Sequence, residues 1–317
     1  VVDFDRQIEP FRQELLAHCY RILGSVHDAE DLVQETYLRA WRARDAYDPS
    51  RAALRTWLHR IATNACLTAL ETRRRRPLPA GTVTERLPTD PLVHGGEATW
   101  LQPIPDSLLH LGSPTGAAVD PSSVRLAFVA ALQHLSARQR AALILRDVLA
   151  FSAVEAADVL DTSVASVNSA LQRARARLNE AGLIEEQIAE PSRAEQQALV
   201  DRYMKAFQDA DVEGLKKLLS DDVIMEMPPM LNWFTGREKY GQFMDWVFAE
   251  AGADWHLTHV AANGQPGMAA YRLGDSGAFE LHTLQVFTVT ASGISRNTVF
   301  QDAEIFAAFR LAPRIEA

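Results

Sequence analysis

The spacing of apolar residues changes once along this chain, and that change rules out a single fold. Up to about residue 183 they recur every three or four positions, the spacing of amphipathic helices. From about residue 192 the texture differs. Helical stretches at 192–219 and 236–250 stand among alternating or apolar runs near 223–227 and at 255–262, 268–273, 278–290 and 294–300. Glycine-containing turns separate these runs, which predicts strands. Such a chain folds as an all-helical part followed by an α+β part, and 317 residues suit two or three domains.

Between helical stretches 4–76 and 123–183, residues 77–122 are rich in proline, glycine, serine and threonine, which predicts a long linker. Within it, Trp100-Leu101-Gln102-Pro103-Ile104-Pro105-Asp106 is a compact patch suited to ordering when bound. The expected divisions are 1–80, a linker over 81–122, 123–185 and 190–317. Charge follows them: the net −9 resolves into +2 for 1–80, −4 for 81–122, +2 for 123–183 and −9 for 184–317. A protein whose cations are local in this way need not be basic overall to bind nucleic acid. No apolar run approaches the roughly 18–20 residues that span a bilayer. The opening VVDFDRQIEPF has neither the basic flank nor the apolar stretch of a secretory signal. Cys19 and Cys66 stand far apart among helical apolar positions, fitting neither a disulfide framework nor a metal site. A cytoplasmic chain with no cofactor and no metal is expected.

Three stretches carry the chemistry. In SVHDAEDLVQETYLRAWRA, residues 25–43, Ser25 with Asp28 three residues on is an N-cap signature, and no glycine or proline follows. Ala29, Leu32, Val33, Thr36 and Ala40 face a core at helical spacing. Opposite them lie Asp31, Gln34, Glu35, Leu38 and Arg42, so a leucine stands among carboxylates and an amide, as an interface anchor within a polar rim does. In the second stretch, Arg55–Arg76, the residues Trp57, Leu58, Ile61, Ala62, Ala65, Leu67 and Leu70 form an apolar side. It ends in Arg73, Arg74, Arg75 and Arg76, four consecutive cations able to track phosphates. The third, Leu135–Leu178, reads as helix, turn, helix, with a capping box at Ser152 and Glu155, a turn at Asp161-Thr162-Ser163, and Ser163 as the last cap. Val164, Val167, Leu171, Ala174 and Leu178 then form an inward stripe. Across from it, Ser166, Asn168, Ser169, Gln172 and Arg173 suit a major groove. Arg175 and Arg177 are placed to reach phosphates or to brace neighbouring helices.

DAEDLVQETYLRAW closely resembles the core-polymerase-binding helix in region 2 of the sigma-70 family, in its compact extracytoplasmic-function (ECF) branch. The resemblance implies that Asp31, Gln34, Glu35 and Leu38 dock on core RNA polymerase. By the same resemblance, residues 55–76 match the segment that melts the −10 promoter element and captures an unstacked base. Asn64 falls at the family's position for a base-reading amide, and Thr68 stands where many ECF factors carry an acid. Residues 135–178 resemble region 4, which reads the −35 element, with Asn168, Ser169, Gln172 and Arg173 at its reading positions. Asp161 replaces the usual turn glycine, which Asp tolerates because it can adopt a left-handed backbone, and Asn168 replaces a usual basic residue. In the family the intervening segment passes through the polymerase cleft. There Glu85, Asp90, Glu97 and Asp106 would repel nucleic acid.

Residues 192–312, with WFTGREKYGQFM, NGQPGMAAYRL and FQDAEIFAAFRL, resemble the SnoaL-like family, in which a curved sheet wraps a helix around an apolar pocket. Met225, Met227, Trp233, Trp246, Tyr271, His282 and Phe300 are the candidate lining residues; Glu226, His256, His259 and His282 are the available acid–base groups. Together the resemblances imply an ECF sigma factor of the actinobacterial, mycobacterial type with a C-terminal SnoaL-like domain. Its fold would be two all-α sigma domains and one α+β cone. Its partners would be core RNA polymerase and promoter DNA, with no membrane and no catalysis of its own. The C-terminal domain would regulate, through intramolecular contact with the sigma domains or through a small-molecule ligand. The rival reading is a SnoaL-like binding or enzymatic domain fused to a DNA-binding regulator.

Overall fold

Gly24 and Ser25 set the first helix boundary. Helix α1 (Val2–Ile8) leads to α2 (Arg12–Leu23), which Gly24 closes in the left-handed conformation at φ 69°. Ser25 Oγ then accepts the Asp28 amide at 3.2 Å and opens α3 (Val26–Ala43). Asp48–Ser50 form a turn in which Asp48 Oδ1 accepts the Ser50 amide, and α4 (Leu54–Thr72) follows it. The computed structural model describes residues 2–72, 76–81, 83–96, 99–111, 119–180 and 191–316. Its chain divides into two units, 1–76 with 106–185, and 77–105 with 186–317.

In the first unit the later helices are α5 (Asp106–Leu109), α6 (Leu126–Leu132), α7 (Ala137–Leu143), α8 (Ala153–Val159) and α9 (Val164–Glu180), with a π turn over Ile144–Val148 after α7. Helix α2 is the axis: Leu15, Leu16, Ala17, Cys19, Tyr20, Ile22 and Leu23 are buried, and it packs on α3, α4, α5, α6 and α7. Residues 2–72 and 119–180 therefore share one core, where the sequence predicts two helical domains, 1–80 and 123–185. The cause lies in polar residues of α2, α4 and α7. Buried Arg21 donates to the Ser123 carbonyl at 2.9 Å and to its hydroxyl, and buried Arg140 donates to the Ile22 carbonyl and to Gln133. Arg55 of α4 pairs with Glu14, donates to the Leu149 carbonyl at 3.0 Å, and lies 4.5 Å from the Phe151 ring centroid.

In the second unit α10 (Arg193–Gln208) and α11 (Val212–Lys216) precede β1 (Leu219–Glu226) and β2 (Trp233–Thr235). Next come α12 (Arg237–Ala251), β3 (Trp255–Ala262), β4 (Gln265–Leu273), β5 (Phe279–Thr290), β6 (Gly293–Phe300), α13 (Ala303–Ala308) and β7 (Arg314–Ile315). The sheet order is β2-β1-β6-β5-β4-β3, with β7 on β5 and β1 parallel to β6. One face packs on α10 and α12, through Tyr203, Phe207, Met225, Met227, Phe234, Tyr240, Phe243, Met268 and Phe287. Strand alternation sends Glu226 and Trp233 to the opposite face. There the segment 77–105 is seated: Glu226 accepts the Ala80 amide, and the Trp233 indole donates to the Val83 carbonyl. The expected linker 81–122 is thus divided between the units. Up to Pro105 it belongs with the strands, and from Asp106 with the helices.

Candidate nucleic-acid interface

On α3 the inward stripe is Val26, Ala29, Val33, Thr36 and Ala40, all buried, which orients the rest of the helix. Asp31 and Gln34 are exposed, and Glu35 pairs with Arg39 at 2.7 Å on the helix surface. Leu38 is 52% exposed, a large apolar side chain on a face that has no local need of one. The sequence reading omits its neighbour. Trp41, one turn on, is 42% exposed, with the Arg44 guanidinium 4.1 Å from its ring centroid. The spacing of Trp41 continues the row of Asp31, Gln34 and Leu38, but spacing alone does not tell an exposed tryptophan from a buried one.

On α4 the buried Leu58, Ala62, Ala65 and Cys66 turn Arg60, Asn64, Thr68 and Glu71 outward at i, i+4, i+8 and i+11. Asn64 is therefore presented, not buried. Trp57 is half-buried, its ring 4.9 Å from Tyr47 and 6.4 Å from Phe4, so an aromatic cluster fixes it. Arg76 is largely covered and pairs with Asp28 in the first turn of α3 at 2.8 Å, rather than reaching into solvent. Arg73, Arg74 and Arg75 lie outside the described residues.

The helix-turn-helix is built as its capping residues require. Ser152 and Glu155 form the capping box of α8, and Asp161 takes φ 48° in the turn. Ser163 Oγ accepts the Ser166 amide at 3.2 Å and starts α9. Val167, Leu171, Ala174 and Leu178 are buried, whereas Val164, expected in the same stripe, is 38% exposed because it sits in the first turn, beyond the packed length. Asn168, Ser169, Gln172 and Arg173 are all exposed on one face. Arg175 makes two hydrogen bonds to Asp147, at 2.7 and 3.0 Å, and so braces α9 against the π turn. Arg177 is exposed.

With that geometry, likeness to known proteins is specific. Residues 8–76 match Sigma-70 region 2, residues 125–178 match Sigma-70 region 4, and residues 200–297 match the SnoaL-like domain. Over 314 residues the chain is 46% identical to the ECF RNA polymerase sigma factor SigG of Mycobacterium tuberculosis, covering 98% of this chain and 84% of the relative. The chain belongs to the ECF RNA polymerase sigma factors. The ECF factor SigJ of the same organism is 31% identical over 217 residues, 68% of this chain and 62% of that one. The crystal structure of SigJ shares the fold at a TM-score of 0.67, covering 97% of this chain and 99% of that one at 23% identity.

In the C-terminal domain of this sigma factor the seven expected lining residues are not brought together: Met225 lies in the helix-facing core and Trp246 is exposed on α12. Met227 lies in the helix-facing core, while Trp233, Tyr271 and Phe300 point to the opposite face by strand alternation. His282 is exposed beside Gln301, its ring 5.6 Å from Trp255. The cone interior holds a buried polar chain instead. The Tyr203 and Tyr240 hydroxyls meet at 2.5 Å, and the Asn297 amide donates to Tyr240 at 2.7 Å and to Gln285 at 2.8 Å. Burial holds both phenols neutral, pushing Tyr240 up to about 12 and Tyr203 well above the usual value. An open cavity of about 510 Å³ lies elsewhere, between the start of α10 and the β5–β6 turn, and includes none of the seven. Among the described residues, no group of three or more His, Cys, Asp or Glu is arranged to hold a metal. Among them, too, no helix is long and apolar enough to cross a membrane.

Proposed function

We propose that this chain docks on core RNA polymerase through the exposed face of α3, melts and holds the −10 element with α4, and reads the −35 element with α9. The carrying observation is the orientation of these helices: each buries an apolar stripe and turns the residues at the family's contact positions to solvent. Their chemistry fits the roles. Leu38 and Trp41 inside a rim of Asp31, Gln34 and Glu35 suit an apolar pocket edged with cations. The Asn64 amide can both donate to and accept from the edge of an unstacked base. Gln172 can pair with adenine through two hydrogen bonds and Arg173 with guanine, and Asn168 adds an amide where the family has a cation. Such a chain works in the cytoplasm, beside the polymerase.

The C-terminal domain is a regulator in this reading, not an enzyme. Its acid–base candidates are dispersed and occupied. Glu226 is fully buried, bonded to Arg296 at 2.7 Å and to the Ala80 amide. His259 faces Asp201 and Gln197 on the surface, and His256 packs against Tyr271 and Phe279.

Run-off transcription with purified core polymerase tests the whole reading. Promoter-specific transcripts that depend on this chain are expected, and failure to bind core polymerase would refute it. Charge reversal at Asp31 and Glu35 is expected to weaken core binding while leaving the helical circular dichroism unchanged; unaltered affinity would overturn the docking assignment.

A further inference from the structure

Residues 184–317 carry a net charge of −9, and cations there find carboxylates close at hand. Lys205 pairs with Asp209, Lys216 with Glu213 and Glu238, Lys239 with Glu85 and Arg237 with Asp221. Arg296 pairs with Glu226 and Arg314 with Glu280. Two exceptions, Arg202 and Lys217, come from different elements and line one cavity, the open volume of about 510 Å³ beside α10. Neither side chain makes an ion pair or a hydrogen bond among the described residues.

The walls are built and held in place. Glu195, Leu199 and Arg202 stand at i, i+4 and i+7 on α10 and so share one face. Leu199 and Leu218 pack partly against the helix-facing core and Val289 is buried, which makes the floor apolar. The carboxylate on this face is engaged elsewhere: Glu195 Oε2 accepts the Ser192 amide at 2.8 Å and the Ser192 hydroxyl at 2.7 Å in the capping box of α10. On the opposite wall the Ile294 amide donates to the Leu218 carbonyl at 3.0 Å. The Thr290 hydroxyl donates to the Gly293 carbonyl at 3.1 Å and meets the Ser292 hydroxyl at 2.9 Å. Gly293, at φ 122°, lies so close that a β-carbon on it would stand 2.7 Å from the Leu218 carbonyl oxygen. Both strands entering the cavity break register beside it, β5 between Thr288 and Val289 and β1 between Leu219 and Ile224. Such bulges recur next to functional sites, where they re-aim side chains.

We propose that this cavity is a binding site for an organic carboxylate with an apolar body, of which a medium-chain aliphatic acid is the simplest member. Its volume falls within the ~300–1,000 Å³ typical of small-molecule sites. Leu199, Leu218 and Val289 cover the body, while the Arg202 fork and the Lys217 ammonium take the carboxylate. Apolar contact supplies most of the affinity, because cations this exposed are screened by water and salt. The cations select the head group. The site is separate from the interior of the cone, which the Tyr203, Tyr240 and Asn297 chain fills. All of its lining residues lie within 191–293, so its occupancy is read without polymerase or promoter and stands apart from the sigma-factor reading.

Titration of the isotope-labelled full chain with decanoate, kept below its micelle concentration, tests this by NMR. Saturable shifts are expected at the Leu199, Leu218 and Gly293 amides, with a rise in the thermal midpoint as ligand is added. Decanol has the tail without the charge and should bind about tenfold more weakly. Acetate has the charge without the tail and should show no saturable binding. Arg202→Gln and Lys217→Gln are each expected to weaken decanoate binding about threefold, and together about tenfold, as exposed ion pairs do. Circular dichroism should stay unchanged, since both side chains stand in solvent. Absence of saturation, or shifts centred on the cone interior around Tyr240, overturns the proposal. So does decanol binding as tightly as decanoate, or an unaltered affinity in the double variant. Acetate binding as tightly as decanoate would mark an adventitious ion only, and overturns it equally.

Discussion

Leu38 and Trp41 are side chains that water disfavours, and both stand in it on the same face of α3. Anchors of that kind carry a large share of binding energy when an interface closes over them. Leu38→Ala and Trp41→Ala are each expected to weaken core polymerase binding by about 2 kcal/mol, roughly thirtyfold in Kd, with thermal stability unchanged. Titration with labelled core polymerase measures this, and an effect below threefold at both would move the anchor elsewhere. Arg173→Ala is expected to relax base preference at one position of the −35 element, at about 1–3 kcal/mol of discrimination; a uniform loss across all sequences would make Arg173 a phosphate contact instead. Leu38 was legible from pattern because a leucine among acids breaks binary patterning. Trp41 was not, because tryptophan at helical spacing reads equally well as core.

Among the elements, capping chemistry made the helical parts readable to within a residue or two. Ser25, Ser152 and Ser163 each accept the amide that their spacing predicts. The turn of the helix-turn-helix holds a testable cost. Asp161 sits at φ 48°, where a glycine has no side-chain penalty. Asp161→Gly is expected to raise stability by about 0.5 kcal/mol, read as a higher denaturation midpoint, and a loss would reveal a side-chain role for the aspartate. The short strand β2 and the seat of residues 77–105 escaped the sequence reading for one reason. Neither repeats a period: the segment is bound by backbone groups and by single residues such as Asn232 and Asn263, which look like ordinary turn formers. Glu85 and Asp106, expected to repel nucleic acid from a free linker, are respectively an anchor to Lys239 and a buried first residue of α5.

In the whole molecule, buried histidines couple the helical unit to pH. His59 lies between Glu14, Arg55, His18 and the Phe151 ring, and burial pushes it down to about 4 despite Glu14's attraction; Glu14 is already paired with Arg55. Burial first, then His59 and the nearby arginines, hold His18 well below its usual range. Both are neutral in the folded state and bind protons near pH 6.5 when unfolded. Stability is therefore full above pH 6.5 and falls as pH drops toward 4, by about 3 kcal/mol for His59 alone. Urea unfolding of the full chain at pH 7.5 and 5.0 should show the loss, and an unchanged midpoint would show these histidines to be protonated or solvated. A truncation ending near residue 186 acts at the same scale. It deletes the C-terminal strands and with them the seat of residues 77–105.

Because residues 77–105 are translated long before their seat, Ala80 must wait for Glu226, 146 residues downstream, before their bond can form. The helical unit closes over an interrupted chain, while the C-terminal unit can be completed only by recovering a segment made near the start. Contacts of such sequence separation form slowly. Each newly synthesised molecule therefore passes through an interval in which regions 2 and 4 are folded and the segment between them is still loose.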